Sequence, residues 1–138
     1  MNESLERIRK AVSRAVTGVP AIAAVYLHGS QVTGNALPIS DIDLALVLSV
    51  DAIPEDPLLA ERVAVRVAEQ LETSLEVDAH VVDTLPLAVL GRVVTTGILL
   101  FERDPSRRVE FETSTRRLYF DFLPFLERDA REGLRSGG

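Results

Sequence analysis

The chain has no cysteine, no tryptophan and one methionine, and Lys10 is its only lysine; the rest of its 15 cationic residues are arginine. Without cysteine, disulfides and thiolate metal sites are excluded, and the composition fits a cytoplasmic protein. Long apolar runs are missing too. None approaches the ~18 residues of a membrane span, and the start, Met1-Asn2-Glu3-Ser4-Leu5, is charged and helical in pattern, unlike a signal peptide. Positive charge is scarce: the net charge of −6 argues against nucleic acid as a direct ligand, because phosphate contacts need a basic footprint. The preference for arginine over lysine fits codon bias in a GC-rich genome. What remains is ordinary for a soluble globular protein, with 46% hydrophobic and 26% charged residues over 138 positions. That length suits one domain, 1–138, burying roughly two-thirds of its unfolded surface.

Apolar periodicity orders the chain. Leu5, Ile8, Val12 and Val16 predict a helix over 3–16. A buried strand follows at about 21–28, then the Gly29-Ser30 turn, a short helix over 31–35, and a second strand at 42–48. Leu59, Val63, Val67 and Leu71 mark a helix over 57–73, and clean alternation marks a third strand over 75–82. A short helix begins at Pro86, is weakened at Gly91 and ends at Gly97; a strand at 98–101 and a long helix over 108–132 complete the chain. There is no internal repeat. The order predicts an α/β (α+β) fold, a small mixed β-sheet backed by helices with a long C-terminal helix.

The most specific signal is Gly29-Ser30 followed by Asp41-Ile42-Asp43, with a strand on either side. Given this composition, chance would produce the pattern about once in 500 such chains. Side chains at i and i+2 of a strand share a face, so Asp41 and Asp43 project together while Ile42 enters the core. Paired carboxylates repel unless a cation neutralises them. Mg²⁺, which takes oxygen ligands and substrate phosphates, is the natural cation. Gly29 allows close backbone approach to a phosphate, and Ser30 either binds a phosphate oxygen or caps the short helix, two compatible tasks. No Ser-His-Asp arrangement makes Ser30 a covalent nucleophile. Asp78 is the third acid, on the non-core face of its strand with His80; it either binds metal or takes a proton from an attacking hydroxyl. Asp83, its competitor, reads better as a helix-start residue. Of the two histidines, His80 is the better site contact, and His28 reads as packed or surface.

Tyr119 and four of the five phenylalanines, Phe111, Phe120, Phe122 and Phe125, crowd into the last helix. Phe111, Leu118, Phe122, Phe125 and Leu126 make one stripe, expected to dock on the sheet, with Pro124 as a kink. Tyr119, Phe120 and Leu123 lie off it, and a surplus apolar face suggests a partner surface.

Leu27-His28-Gly29-Ser30, Ser40-Asp41-Ile42-Asp43-Leu44-Ala45, Glu76-Val77-Asp78, the 97–101 strand and the 117–125 segment together resemble the minimal nucleotidyltransferases of the DNA polymerase β superfamily, in their antitoxin-like MNT branch. The resemblance covers nearly the whole chain and departs at His28, where an apolar or aromatic residue is usual. It implies a nucleotidyltransferase fold using Mg²⁺ and ATP, with Gly29 and Ser30 on the triphosphate and Asp41, Asp43 and Asp78 as metal-binding and catalytic acids. It also implies a partner: a HEPN-type ribonuclease toxin whose tyrosine receives AMP, which an apolar C-terminal helix would hold in a hetero-oligomer. Two other readings stay open. One is transfer to a small-molecule or RNA hydroxyl, and the other is an antitoxin that blocks its toxin by binding alone.

Overall fold

The computed structural model describes residues 2–29, 42–50 and 56–136, with side chains over 5–29, 42–50 and 56–129. Its elements run α1 (Asn2–Val16), β1 (Ile22–His28), β2 (Ile42–Leu48), α2 (Leu59–Leu71), β3 (Val77–Val81), α3 (Leu87–Thr96), β4 (Ile98–Glu102) and α4 (Pro105–Ser136), with a 3-10 turn at Val82–Thr84. The expected helix over 31–35 lies outside the described residues.

The four strands form one mixed sheet in the order β3-β2-β1-β4. β1 is antiparallel to both β2 and β4, while β2 and β3 run parallel, joined through α2. A parallel pair needs such a crossover, and an antiparallel pair does not. Period-two alternation then sorts the side chains. Val25, Leu27, Leu44, Leu46, Val77 and Ala79 face α1 and α2 in the larger core. Ala24, Tyr26, Ala45 and Val47 face the other way, onto Val93, Val94 and Phe111 of α3 and α4.

Two arginines tie the layers. Pairing slips between Ile22 and Ala24, leaving Ala23 as an extra residue, and its carbonyl accepts the N–H groups of Arg103 (2.7 Å) and Asp104 (3.2 Å). The Arg103 guanidinium donates to the carbonyls of Val16 (2.9 Å), Thr17 (2.6 Å), Val19 (2.5 Å) and Ile22 (2.8 Å). It thereby closes the carboxyl end of α1, whose last carbonyls lack helical partners. Arg107 Nε donates to Leu48 O (2.9 Å), holding α4 to the end of β2. Helix α4 starts where it does because Pro105 suits a first helical position and Asp104 Oδ1 accepts the Arg107 N–H (3.1 Å).

The apolar stripe of α4 does not dock as expected. Phe111 and Thr115 are 5% and 6% exposed, but Leu118, Phe122 and Phe125 are 50%, 47% and 56% exposed. Length is the reason. A 32-residue helix is about 48 Å long, and it rests on the 10-residue α3 and a narrow sheet. Arg116, donating to Val94 O (3.0 Å), and Tyr119 are among its contacts with α3.

Gly91, read from the sequence as a weak point, is instead a seat. A β-carbon there would come 2.0 Å from Tyr119 Cδ1, so the bare backbone admits the ring. Gly91→Ala is expected to destabilise the protein by about 1–3 kcal/mol despite alanine's better helix propensity, and Tyr119→Ala should relieve most of that loss. A double-mutant cycle by urea denaturation measures it; additive effects would dissociate the two residues.

Candidate active site

Strand register assembles the site. β1 and β2 pair His28 with Asp43, and β2 and β3 pair Asp43 with Asp78. Register partners share a face, so the three side chains stand in one row across three strands spaced about 4.8 Å apart. The neighbouring residue Ile42 is 2% exposed, in the α1/α2 core. For Ile42 and Asp43 this is the alternation read from the sequence. Asp43 and Asp78 are both half-buried. Asp41 and Ser30 lie outside the described residues.

Gly29 follows β1 with a φ of 87°, and a β-carbon there would sit 2.5 Å from Asp43 Oδ2. Backbone handedness and close approach to the carboxylate therefore both require glycine. Gly29→Ala is expected to lower any activity of the site at least tenfold, by displacing the Asp43 carboxylate, with a strain cost of about 1–3 kcal/mol. Turnover per folded molecule, measured beside a thermal melt, separates the two effects.

His28 was not legible as a site residue. It is half-buried, and no hydrogen-bond partner for its buried Nε2 is present among the described residues. Burial holds its imidazole below the ordinary pKa, and the charges of His80 and Arg92 press the same way. The available signal was position: it is the last residue of the strand before Gly29, with the parity that faces Asp43. His80 shares the Asp78 face one row along, opposite Ala45, and is exposed. Asp83 is exposed in the 3-10 turn, away from the row.

Along the β3 edge, a groove of about 430 Å³ runs between β3 and α2, lined by Glu61, Ala64, Val65, Ala68, Asp78 and His80 among others. Among the described residues no group of three or more histidine, cysteine or acidic side chains gathers as a metal site. Asp43 and Asp78 supply two hard oxygen donors on adjacent strands, with the bare Gly29 backbone beside one of them, and that donor set fits Mg²⁺.

Comparison with known proteins bears on the family and the fold. The family model described as "Polymerase beta, Nucleotidyltransferase" matches residues 10–106, from within α1 to the start of α4. No curated protein sequence matches the chain. Among solved structures, a toxin–antitoxin crystal structure with AMP-PNP aligns over 88% of this chain and 98% of its own, at 20% identity and a TM-score of 0.65. The MntA–HepT toxin–antitoxin pair aligns over 91% and 98%, at 18% identity and a TM-score of 0.61. A tri-AMPylated Shewanella oneidensis HEPN toxin in complex with MNT antitoxin gives 91% and 98%, 18% identity and a TM-score of 0.59. At these identities the likeness is one of fold. With more than half of its length matched by the family model and the nucleotidyltransferase fold behind it, the chain belongs to the polymerase beta nucleotidyltransferase family.

Proposed function

We propose that the chain is a Mg²⁺-dependent nucleotidyltransferase that moves AMP from ATP to a tyrosine hydroxyl of a cognate HEPN-type ribonuclease toxin, acting as its antitoxin. The observation that carries this reading is the in-register pair Asp43 and Asp78 beside Gly29, in a member of this transferase family. The acceptor comes from likeness to complexes that include an AMPylated HEPN toxin with its MNT antitoxin.

Asp41, Asp43 and Asp78 would hold Mg²⁺, which when bound would neutralise charge on carboxylates and phosphates. Gly29 and Ser30 would receive the triphosphate through backbone N–H groups and the serine hydroxyl. The tyrosine oxygen bonds to the α-phosphorus of ATP as the bond to the pyrophosphate oxygen breaks, and the phenolic proton passes to Asp78. Positioning and charge neutralisation supply most of the acceleration, as in phosphoryl transfer generally.

The exposed apolar stretch of α4 favours a second reading, an antitoxin that acts by binding alone. Intact mass spectrometry of the cognate toxin, after incubation with this protein, ATP and Mg²⁺, separates the two. One or more added AMP masses, lost with Asp43→Asn, support catalysis. An unmodified toxin in a stable complex supports the steric antitoxin.

A further inference from the structure

Leu118, Phe122 and Phe125 continue the buried Phe111–Thr115 stripe of α4 past the sheet, at i, i+4 and i+7. The Phe122 and Phe125 ring centroids are 6.1 Å apart, so the two form one aromatic patch. Two turns apart on one flank of this stripe stand Asp121 and Arg128, both exposed, with the Arg128 guanidinium 5.8 Å from the Phe125 ring centre. This half of the helix lies beyond the stretch matched by the family model.

We propose that this surface pairs with a second copy of itself, antiparallel, as a two-stranded helical seam. In heptad terms Leu118 and Phe125 occupy d, Phe122 and Asp129 a, and Asp121 and Arg128 g, so the seam is closed at each end by Leu118 against the exposed Asp129 of the second copy. An antiparallel pair packs a against d of the opposite helix and brings g beside g. Seating Phe122 on Phe125 of the second copy therefore sets Asp121 against Arg128 of that copy, and two-fold symmetry repeats the pair. The sequence carries opposite charges at the two positions that this register brings together. Pro124, at c, lies away from the seam. The inference is independent of the catalytic reading, since it concerns the chain alone.

Sedimentation equilibrium of the purified chain from about 1 to 300 μM tests it. A monomer–dimer equilibrium is expected. Asp121→Arg, which puts like charges face to face, should weaken the dimer by about tenfold or more. The exchange Asp121→Arg with Arg128→Asp should restore it to within about threefold, because it rebuilds the pair in reverse. Phe122→Asn should leave a monomer that melts where the parent does at concentrations too low for it to dimerise, since its side chain supports no core. A monomer at every concentration overturns the proposal and leaves the stripe to a partner of another kind. So does a dimer indifferent to Asp121→Arg, or one that the double exchange fails to restore.

Discussion

Asp43→Asn is expected to lower AMP transfer by about a thousandfold or more while leaving the melting temperature within about 3 °C of the parent. Asparagine keeps the size and shape of aspartate, so the Gly29 contact and the β2 register survive. What changes is charge. The row opposite Asp78 loses one of two adjacent anions, which relieves repulsion in the folded protein and removes an oxygen donor from any cation bridging them. Activity and stability should therefore separate. Initial rates of labelled AMP incorporation, taken beside a thermal melt, read both. Retention of more than about a tenth of the rate would remove Asp43 from the machinery. Asp78→Asn probes a different role. If Asp78 takes the acceptor's proton, the rate should fall by about 10²–10⁴. A loss restored by raising Mg²⁺ would assign Asp78 to metal binding instead.

Arg103→Ala should cause the largest loss of stability, about 2–4 kcal/mol, seen as a melting temperature lower by roughly 8–16 °C. Four carbonyls converge on this one guanidinium, from the last turn of α1 and the chain leading into β1. Without it, the Thr17 carbonyl sits at a helix end with no intrahelical donor, and that of Val16 keeps only the Val19 N–H (2.9 Å). The Phe101 ring, 5.2 Å from the guanidinium carbon, loses its cover as well. Arg103→Lys should recover less than half of the loss, because one ammonium cannot span four acceptors as a planar fork does. Activity per folded molecule should stay unchanged in both variants. Urea denaturation gives the comparison, and a lysine variant as stable as the parent would show that charge, not geometry, is what matters.

Much of the architecture was legible because it is written locally. Strands β1, β2 and β4 and helices α1 to α3 fall within a few residues of where periodicity places them, since each buries one face and each face repeats at 2 or 3.6 residues. The geometry around Asp43 was legible for the same reason: Ile42 enters the core, so Asp43 faces the other way. Asp78 could be preferred over Asp83 because it lies on the non-core face of its strand while Asp83 reads as a helix-start residue, and the structure sets Asp78 opposite Asp43. Asp41 and Ser30, equally prominent in sequence, lie outside the described residues.

Other features depended on which element met which. His28 looked like an ordinary strand end, because nothing local tells that β2 will pair with β1 so as to set it against Asp43. Gly91 looked like a flaw in a helix, because its value lies in a tyrosine 28 positions further on. Nothing local marks Arg103, because its partners are carbonyls at the end of α1 and in the chain leading into β1, more than 80 residues earlier. The stripe on α4 was read correctly as apolar and wrongly as wholly buried. Periodicity reports that a face is apolar, but the length of the surface beneath decides how much of it is covered, and here the sheet runs out before the helix does. By itself the sequence determined the elements, the parity of the Asp-Ile-Asp strand and the chemistry its carboxylates suit, because those depend on neighbours along the chain. Only the tertiary structure decided the His28–Asp43–Asp78 row, the closure of α1 by Arg103 and the bare half of α4, because each depends on contacts between distant segments that no local repeat encodes.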